Sequence, residues 1–152
     1  MNVKNDVYWM KIALREANKS FVRDEVPVGV VITIDNKLVS YSHNSSISSK
    51  DPTAHAEIKA IRDASKVINN YRLKNATLYS TLEPCAMCYG AIIHSRIKKV
   101  VFGAYDNKTG VCGSCASFDK LECFNHVPEI IGGVLENDCS MVLKNFFKDK
   151  RN

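Results

Sequence analysis

Two short segments of this chain each join a helix-start signal to side chains that bind metal ions. They are Asp51-Pro-Thr-Ala-His-Ala-Glu57 and Pro84-Cys-Ala-Met-Cys88. Proline is tolerated in the first turn of a helix, and a short polar residue before it is a typical cap. The segments therefore predict two helices that begin beside one ion, with one imidazole, two thiols and one carboxylate available there.

The spacing within each segment divides the chemical roles. His55 and Glu57 are two residues apart, about 200° of helical rotation, so they do not lie side by side as two ligands would. At the start of a helix both can still point past its end, with His55 on the metal and Glu57 on a water molecule. Cys85 and Cys88 share one face of the second helix. The free amides and the dipole at that end favour thiolates, the form that binds zinc.

The ligand count favours a catalytic zinc ion over a structural one. Catalytic zinc usually has three protein ligands and an open position, whereas structural zinc has four. The sequence offers three, His55, Cys85 and Cys88, which predicts one zinc ion per chain. Glu57 is then expected to move protons between water, a ring nitrogen and departing ammonia. A lone C-x-x-C also fits a redox pair or half of a structural site, but its combination with His-x-Glu favours catalysis.

Length and composition agree with a compact enzyme. The chain has 152 residues and a net charge of +5, and we predict one zinc-dependent domain over residues 1–152. The N-terminal segment has no apolar signal core, and no segment is long enough to cross a membrane, so we expect a cytoplasmic protein without a membrane partner. The six cysteines are then expected to be reduced thiols and metal ligands.

Hydrophobic patterning predicts alternating helices and strands. The helices are expected at residues 7–19, 54–65, 85–94 and 135–148, and the strands at residues 28–34, 37–42, 76–80, 98–102 and 129–131. Helices that alternate with buried strands cover both faces of a sheet. We therefore predict an α/β fold, a three-layer α/β/α sandwich with a mixed central sheet of about five strands. Functional sites in such folds lie beyond strand ends.

Several segments resemble the tRNA-specific adenosine deaminase family, TadA. The order His-x-Glu followed by Pro-Cys-x-x-Cys is a known signature of zinc deaminases that act on bases. The likeness extends from Tyr8 to about Arg151, through Asn70-Tyr-Arg-Leu73, Ala76-Thr-Leu-Tyr79, Thr81-Leu-Glu-Pro84, His94-Ser-Arg-Ile97, Val101-Phe-Gly103 and Lys108-Thr-Gly110. The resemblance implies a cytidine deaminase-like fold and a homodimer. It also implies conversion of adenosine to inosine at the wobble position (34) of a tRNA anticodon, typically that of an arginine tRNA in bacteria.

The same resemblance implies a set of residues that bind the substrate. Asn44 is expected to hydrogen-bond the flipped base, although from the sequence alone it is an ordinary turn residue. Asp106 is expected to accept a hydrogen bond from a ribose 2′-hydroxyl, and its alternative is a solvated turn aspartate. The remaining residues that the resemblance assigns to the substrate are Ala56, Lys108, Phe147 and Arg151.

The C-terminal tail is a candidate RNA contact. It carries Lys144, Lys148, Lys150 and Arg151 beside two phenylalanines, Phe146 and Phe147. Cations suit phosphates and aromatic rings suit unstacked bases. The alternative is that the phenylalanines anchor the last helix and the cations are solvated. We expect one phenylalanine in each role.

Other cysteines depart from the pattern that the resemblance implies. Cys112, Cys115 and Cys123 with His126 would form a closed second zinc site. We do not predict that site, because the cysteines lie beside small residues in a loop. Cys139, on the last helix, is expected to be a small core residue.

Two other functions stay open from the sequence. One is a deaminase of a free base or nucleoside, such as cytosine or guanine, and the other is a non-catalytic zinc or RNA-binding module. The basic tail and the loop at residues 106–110 disfavour the first, because a small substrate needs neither. Glu57 disfavours the second, because a structural metal site has no use for that carboxylate.

Overall fold

A five-stranded sheet forms the middle layer of the structure, a computed structural model that describes residues 3–151 and the side chains of residues 3–150. The strands are β1 (Gly29–Ile34), β2 (Lys37–His43), β3 (Ala76–Leu82), β4 (Lys99–Ala104) and β5 (Glu129–Ile131). Their order is β2-β1-β3-β4-β5. The β1 strand runs antiparallel to β2 and β3, whereas β3, β4 and β5 are parallel. The sheet is therefore mixed, as predicted.

Helices cover both faces of this sheet. They are α1 (Asp6–Val22), α2 (Ala56–Ile68), α3 (Ala86–Ser95) and α4 (Glu136–Arg151), with a short 3₁₀ helix at Phe118–Lys120. Successive side chains of a strand point to opposite faces. Val30 and Ile32 accordingly pack with α2 and α3, while Val31 packs with α1 and α4. This arrangement confirms the predicted three-layer α/β/α fold.

Helix starts differ from the prediction in one respect. Asp51 does not cap α2, because its carboxylate accepts hydrogen bonds from the backbone N–H of Thr53, at 2.8 Å, and from its hydroxyl, at 2.7 Å. The helix begins at Ala56, two residues later than predicted, and His55 takes the cap position. Asn5, by contrast, caps α1 by accepting a 2.9 Å hydrogen bond from the N–H of Tyr8.

Among residues 3–151, no helix is both long enough and apolar enough to cross a membrane.

Candidate active site

Three side chains that could hold one metal ion meet where α2 and α3 begin. The ligand atoms of His55, Cys85 and Cys88 all lie within 4.8 Å of one another. His55 Nδ1 is 3.7 Å from Cys85 Sγ and 3.5 Å from Cys88 Sγ. Zinc in a tetrahedral site, with its usual bond lengths to sulfur and nitrogen, separates such atoms by roughly 3.6 Å. The donor set and its spacing therefore fit zinc, and the structure brings together the three predicted ligands.

The N-cap residues of α2 and α3 serve as candidate metal ligands and do not cap their helices. His55 and Cys85 occupy the N-cap positions of α2 and α3 with extended backbones, and neither side chain caps its helix. A capping side chain normally bonds to the free N–H groups of the first turn. Here both side chains turn toward each other, so each helix start contributes a ligand and the positive end of its dipole.

The thiols differ in acidity. A hydrogen bond from Cys88 lowers the pKa of the Cys85 thiol to about 4. The same pairing, together with burial, raises the pKa of Cys88. A hydrogen bond with Cys85 raises the pKa of His55. The pairing therefore favours a thiolate at Cys85, and binding of a metal ion would favour loss of the remaining ligand protons.

Glu57 lies in the first turn of α2, as predicted, with 4% of its surface exposed. Burial raises the pKa of this carboxyl, because a charged carboxylate loses its water shell there. A raised pKa suits a group that takes up a proton and returns it near neutral pH. Glu57 also lines the same cavity as His55 and Cys85, so it can exchange protons with a substrate in that cavity.

The cavity has a volume of about 150 Å³ and contains some of the predicted substrate residues. Asn44, Ala56 and Asp106 line it, opposite an apolar wall that includes Val28 and Leu82. Asn44 is held in place through its backbone, since its N–H donates to the Val28 carbonyl at 3.0 Å and its carbonyl accepts from Ser20 Oγ at 2.6 Å. Its side-chain amide makes only two hydrogen bonds, both 3.3 Å long.

Two other predicted substrate residues lie outside the cavity lining. Lys108 is exposed, and its N–H donates to Asp106 Oδ1 at 3.0 Å. Phe147 is 43% exposed, whereas Phe146 is buried and packs on Phe21 with ring centroids 5.9 Å apart. The two phenylalanines thus differ in burial, and only Phe147 is exposed enough to contact an RNA base. Arg151 belongs to α4, but its side chain lies outside the described residues.

The tail cation Lys150 is engaged within the protein. Its ammonium pairs with the Asp24 carboxylate and lies 5.6 Å from the centre of the Phe146 ring. Part of the tail charge is thereby neutralised. Both side chains of the pair are largely exposed, so the pair is a weak one that an RNA phosphate can compete with.

Residues 106–114, which we call the mouth loop, border the cavity. The Asp106 carboxylate accepts hydrogen bonds from the N–H of Lys108, the N–H of Thr109 at 3.2 Å and the hydroxyl of Thr109 at 2.8 Å. Asp106 therefore has the role of a turn aspartate that the sequence analysis gave as its alternative. Its place in the cavity wall keeps it beside any bound substrate.

Glu83, which the sequence analysis missed, anchors the mouth loop. It is 2% exposed and accepts hydrogen bonds from the backbone N–H groups of Asp106, Cys112 and Ser114, and from the Ser114 hydroxyl. A Cβ on Gly110 would come within 2.4 Å of the Glu83 carboxyl carbon, so the loop packs directly on this side chain. The available signal was an acidic residue directly after a strand that is mostly buried.

A second buried glutamate holds the loop that follows β2. Glu25 accepts hydrogen bonds from the N–H of Ile47 at 3.0 Å and of Ser48 at 2.7 Å. Burial acts to raise the pKa of Glu25, but these backbone bonds, the Ser48 hydroxyl and the charge of Lys59 together hold the pKa below its usual value. The two loops are thus fixed by the same device.

The other cysteines do not form a second metal site within the described residues. In that part of the chain, only His55, Cys85 and Cys88 lie close enough together to share a metal ion. Cys112 is buried, whereas Cys115 and Cys123 are exposed. The His126 ring lies 2.7 Å from the Ile97 carbonyl. Cys139 is buried between α4 and the sheet, which confirms its predicted place in the core.

Comparison with known proteins agrees with this geometry. Residues 3–104 match the family model described as the cytidine and deoxycytidylate deaminase zinc-binding region. Together with the site, this match defines a deaminase of that class. Two curated relatives named tRNA-specific adenosine deaminase match almost the full chain. The protein from Haemophilus influenzae is 50% identical over 96% of this chain and 85% of its own, and that from Bacillus subtilis is 43% identical over 96% and 91%.

The chain therefore belongs to the tRNA-specific adenosine deaminase family, which confirms the resemblance seen in the sequence. A solved structure supports the same assignment. It comes from work on A-to-I editing by tRNA:A34 deaminases at the wobble position, and it is 39% identical with a TM-score of 0.87, covering 90% of this chain and 99% of that chain.

Proposed function

We propose that this protein deaminates adenosine to inosine at wobble position 34 of a tRNA anticodon. One observation carries the proposal: the buried carboxylate of Glu57 lines the same cavity as His55 and Cys85. With Cys88, these two residues offer three metal ligands, which leaves the fourth position of a zinc ion open. The high identity to tRNA-specific adenosine deaminases supports the choice of substrate.

As part of this proposal, His55, Cys85 and Cys88 hold one zinc ion per chain. Two thiolates and a neutral imidazole balance the charge of a dication, and their spacing suits tetrahedral coordination. When bound, zinc supplies Lewis acidity that lowers the pKa of water. Every proton transfer is then the task of this chain's own residues.

Glu57 is the proton carrier of the proposed reaction. Its carboxylate takes a proton from water as the water oxygen bonds to C6 of adenine, and it passes that proton to the ring nitrogen beside C6. Glu57 then takes the remaining proton from the new C6 hydroxyl and delivers it to the exocyclic nitrogen. The bond from C6 to that nitrogen breaks, ammonia departs, and the oxygen stays on C6 as the carbonyl of inosine. Burial of Glu57 keeps bulk water from taking over these transfers.

The cavity wall binds and orients the flipped base in this proposal. The Asn44 amide can both donate and accept a hydrogen bond at the edge of the base. Ala56 has a small side chain at the helix start, which leaves room for the base. Asp106 meets a ribose hydroxyl, and Lys108 with Arg151 meets phosphates. Phe147 offers an exposed ring for stacking an unpaired base.

Four further features belong to the same proposal. The protein is a homodimer, its residues 1–152 form one domain, an arginine tRNA is its substrate, and it works in the cytoplasm. The family resemblance supports the homodimer, the arginine tRNA and the cytoplasm, and a length of 152 residues supports one domain.

Inosine measurement tests the proposal directly. The purified protein is incubated with total tRNA from its own source and, separately, with free adenosine, cytidine, cytosine and guanine. We expect inosine at position 34 of tRNA and no ammonia release from the small substrates. If a free base or nucleoside is deaminated and no inosine forms in tRNA, the protein is instead a deaminase of free bases or nucleosides.

A further inference from the structure

A groove at the opposite end of the central sheet is lined by positively charged side chains. It has a volume of about 450 Å³, and we call it the basic cleft. Its lining residues are Arg72, Lys74, Asn75, Arg96, Lys98 and His126. Four of these six are lysine or arginine and none is acidic. A cleft lined by one sign of charge concentrates the electrostatic field and attracts ions of the other sign.

The parallel pairing of β3 with β4 creates this cleft. Lys74 directly precedes the segment that enters β3, and Lys98 directly precedes β4, so the two connections lie side by side. The candidate active site follows the other end of β3. Because β3 has seven residues, the two ends are roughly 20 Å apart. The basic cleft is therefore separate from the cavity that holds Glu57.

The four cations of the cleft are not neutralised within the described part of the protein. None of them takes part in the ion pairs found among those side chains. Lys98 also lines a neighbouring groove that contains the acidic residues Asp6, Asp35 and Glu129, and Asp6 pairs with Lys99. Like charges gathered in one groove repel each other, so this arrangement is unfavourable for the protein alone.

Arg96 brings a guanidinium to the cleft from the end of α3. It occupies the left-handed region, with φ of 61°, as do other non-glycine residues of the chain such as Lys50 and Leu135. Its guanidinium donates to Asn125 Oδ1 at 3.3 Å, which leaves its other donors free for a ligand in the cleft.

We propose that the basic cleft binds phosphates of the RNA substrate outside the anticodon loop. This inference rests on the proposed function, because that function supplies a long polyanion. RNA is favoured over an acidic protein segment because the four cations lie along one groove, which suits successive phosphates of a backbone. Tyr71, outside the cleft lining, is 67% exposed and its ring lies 5.4 Å from the Arg72 guanidinium, so it offers a stacking surface beside the cleft.

Matched charge removal tests the proposal. The cleft variant is Lys74→Gln with Lys98→Gln, and the control is Lys11→Gln with Arg15→Gln on the exposed side of α1. Each removes two positive charges and no catalytic group. Binding of full-length tRNA and of an isolated anticodon stem-loop is measured across a salt series. We expect the cleft variant to bind full-length tRNA more weakly. The slope of log K plotted against the logarithm of the salt concentration should be shallower by roughly 1.4 to 1.8.

The control should change that slope far less, and both variants should deaminate the stem-loop as the wild type does. An unchanged slope for full-length tRNA, or an equal change in the control, would overturn the proposal. Equal weakening on the isolated stem-loop would also overturn it, because the contact would then lie within the loop region. A poly-glutamate chain that binds the wild type but not the cleft variant, with tRNA binding unaffected, would indicate an acidic protein partner instead.

Failure of the proposed function is a separate result. It would be seen as a wild-type protein that forms no inosine in any tRNA. The binding measurements do not depend on turnover, so the two outcomes are distinguishable.

Discussion

The starts of α2 and α3 and the mouth loop flank one cavity but are held in place differently. The ligands and Glu57 sit on helix ends whose backbone hydrogen bonds continue into the helices. The mouth loop is held by one turn, by the Glu83 carboxylate and by irregular backbone bonds such as that from the Val111 N–H to the Pro84 carbonyl at 3.0 Å. The helix starts also lie within residues 3–104 that match the deaminase family model, and the loop lies after them. We infer that the helix starts carry the chemistry and the loop carries substrate recognition.

Removal of a ligand should have the largest effect and should disable the helix starts altogether. Cys85→Ala or Cys88→Ala is expected to abolish metal binding and activity and to lower the melting temperature, because the ligands join two helices. Each kcal/mol of lost stability lowers melting by about 2–4 °C in a chain of this size. Elemental analysis and thermal melting measure both effects.

The control is Cys112→Ser with Cys115→Ser in the mouth loop. It should retain the one zinc ion per chain that is expected for the wild type. Two zinc ions in the wild type, or full zinc content in either ligand variant, would contradict the assignment of the site.

Glu57→Ala should lower the rate of deamination without affecting metal binding at the starts of α2 and α3. We expect zinc content and melting close to the wild type, with kcat lower by about 10²–10⁴-fold, because the proton carrier is gone. Inosine formation in single turnovers measures the chemical step. Substantial activity in a zinc-loaded variant would remove Glu57 from the mechanism.

Glu83→Gln tests the role of the mouth loop in substrate recognition. The new NH₂ group faces backbone N–H donors, so hydrogen bonds are lost and buried donors stay unpaired, at about 1–3 kcal/mol each. We expect KM for tRNA to rise about tenfold or more, since 1.4 kcal/mol is a factor of ten, with zinc content unchanged and kcat less affected. Steady-state kinetics and metal analysis check this.

Glu25→Gln is the matched control, because it makes the same change under a loop that does not line the cavity. It should lower the melting temperature without a comparable rise in KM. An equal rise in both variants would mean that the mouth loop has no special part in recognition.

Asp106→Asn should have the smallest effect. One oxygen remains to accept from Lys108 and Thr109, so the turn persists. If Asp106 meets a ribose 2′-hydroxyl, the variant should narrow the preference for RNA over an equivalent DNA loop by a few-fold, since a hydrogen bond to a charged group contributes about 1.5–3 kcal/mol and a neutral one about 1. The measurement is the ratio of the two deamination rates, and an unchanged ratio would leave Asp106 with its turn role only.

The sequence predicts the parts of this site that depend on local patterns. His55, Glu57 and the two cysteines were identified from spacing of two or three residues, and the structure brings the three ligands together. Strand and helix order was predicted for the same reason, because hydrophobic period is a local signal. Fine boundaries were less accurate, as at α2, where a side-chain bond within residues 51–53 competes with the cap.

Features that depend on distant contacts were not predictable in this way. Glu83 bonds to residues 23 to 31 positions further along the chain. The basic cleft likewise gathers residues from two connections that only the parallel pairing of β3 and β4 brings together. The pairing of Lys150 with Asp24 also joins opposite ends of the chain. No local pattern marks such partners, because each exists only once the sheet is assembled.

The two edges of the sheet bear on solubility at high concentration. An exposed strand edge is a template on which another chain can add a strand and begin aggregation. Here β5 has only three residues, between Pro128 and Gly132. At the other edge, the pairing of β2 with β1 shifts register between Ile32 and Thr33, and β2 begins with a lysine. Neither edge offers a long regular ladder, so the fold itself resists edge-to-edge association.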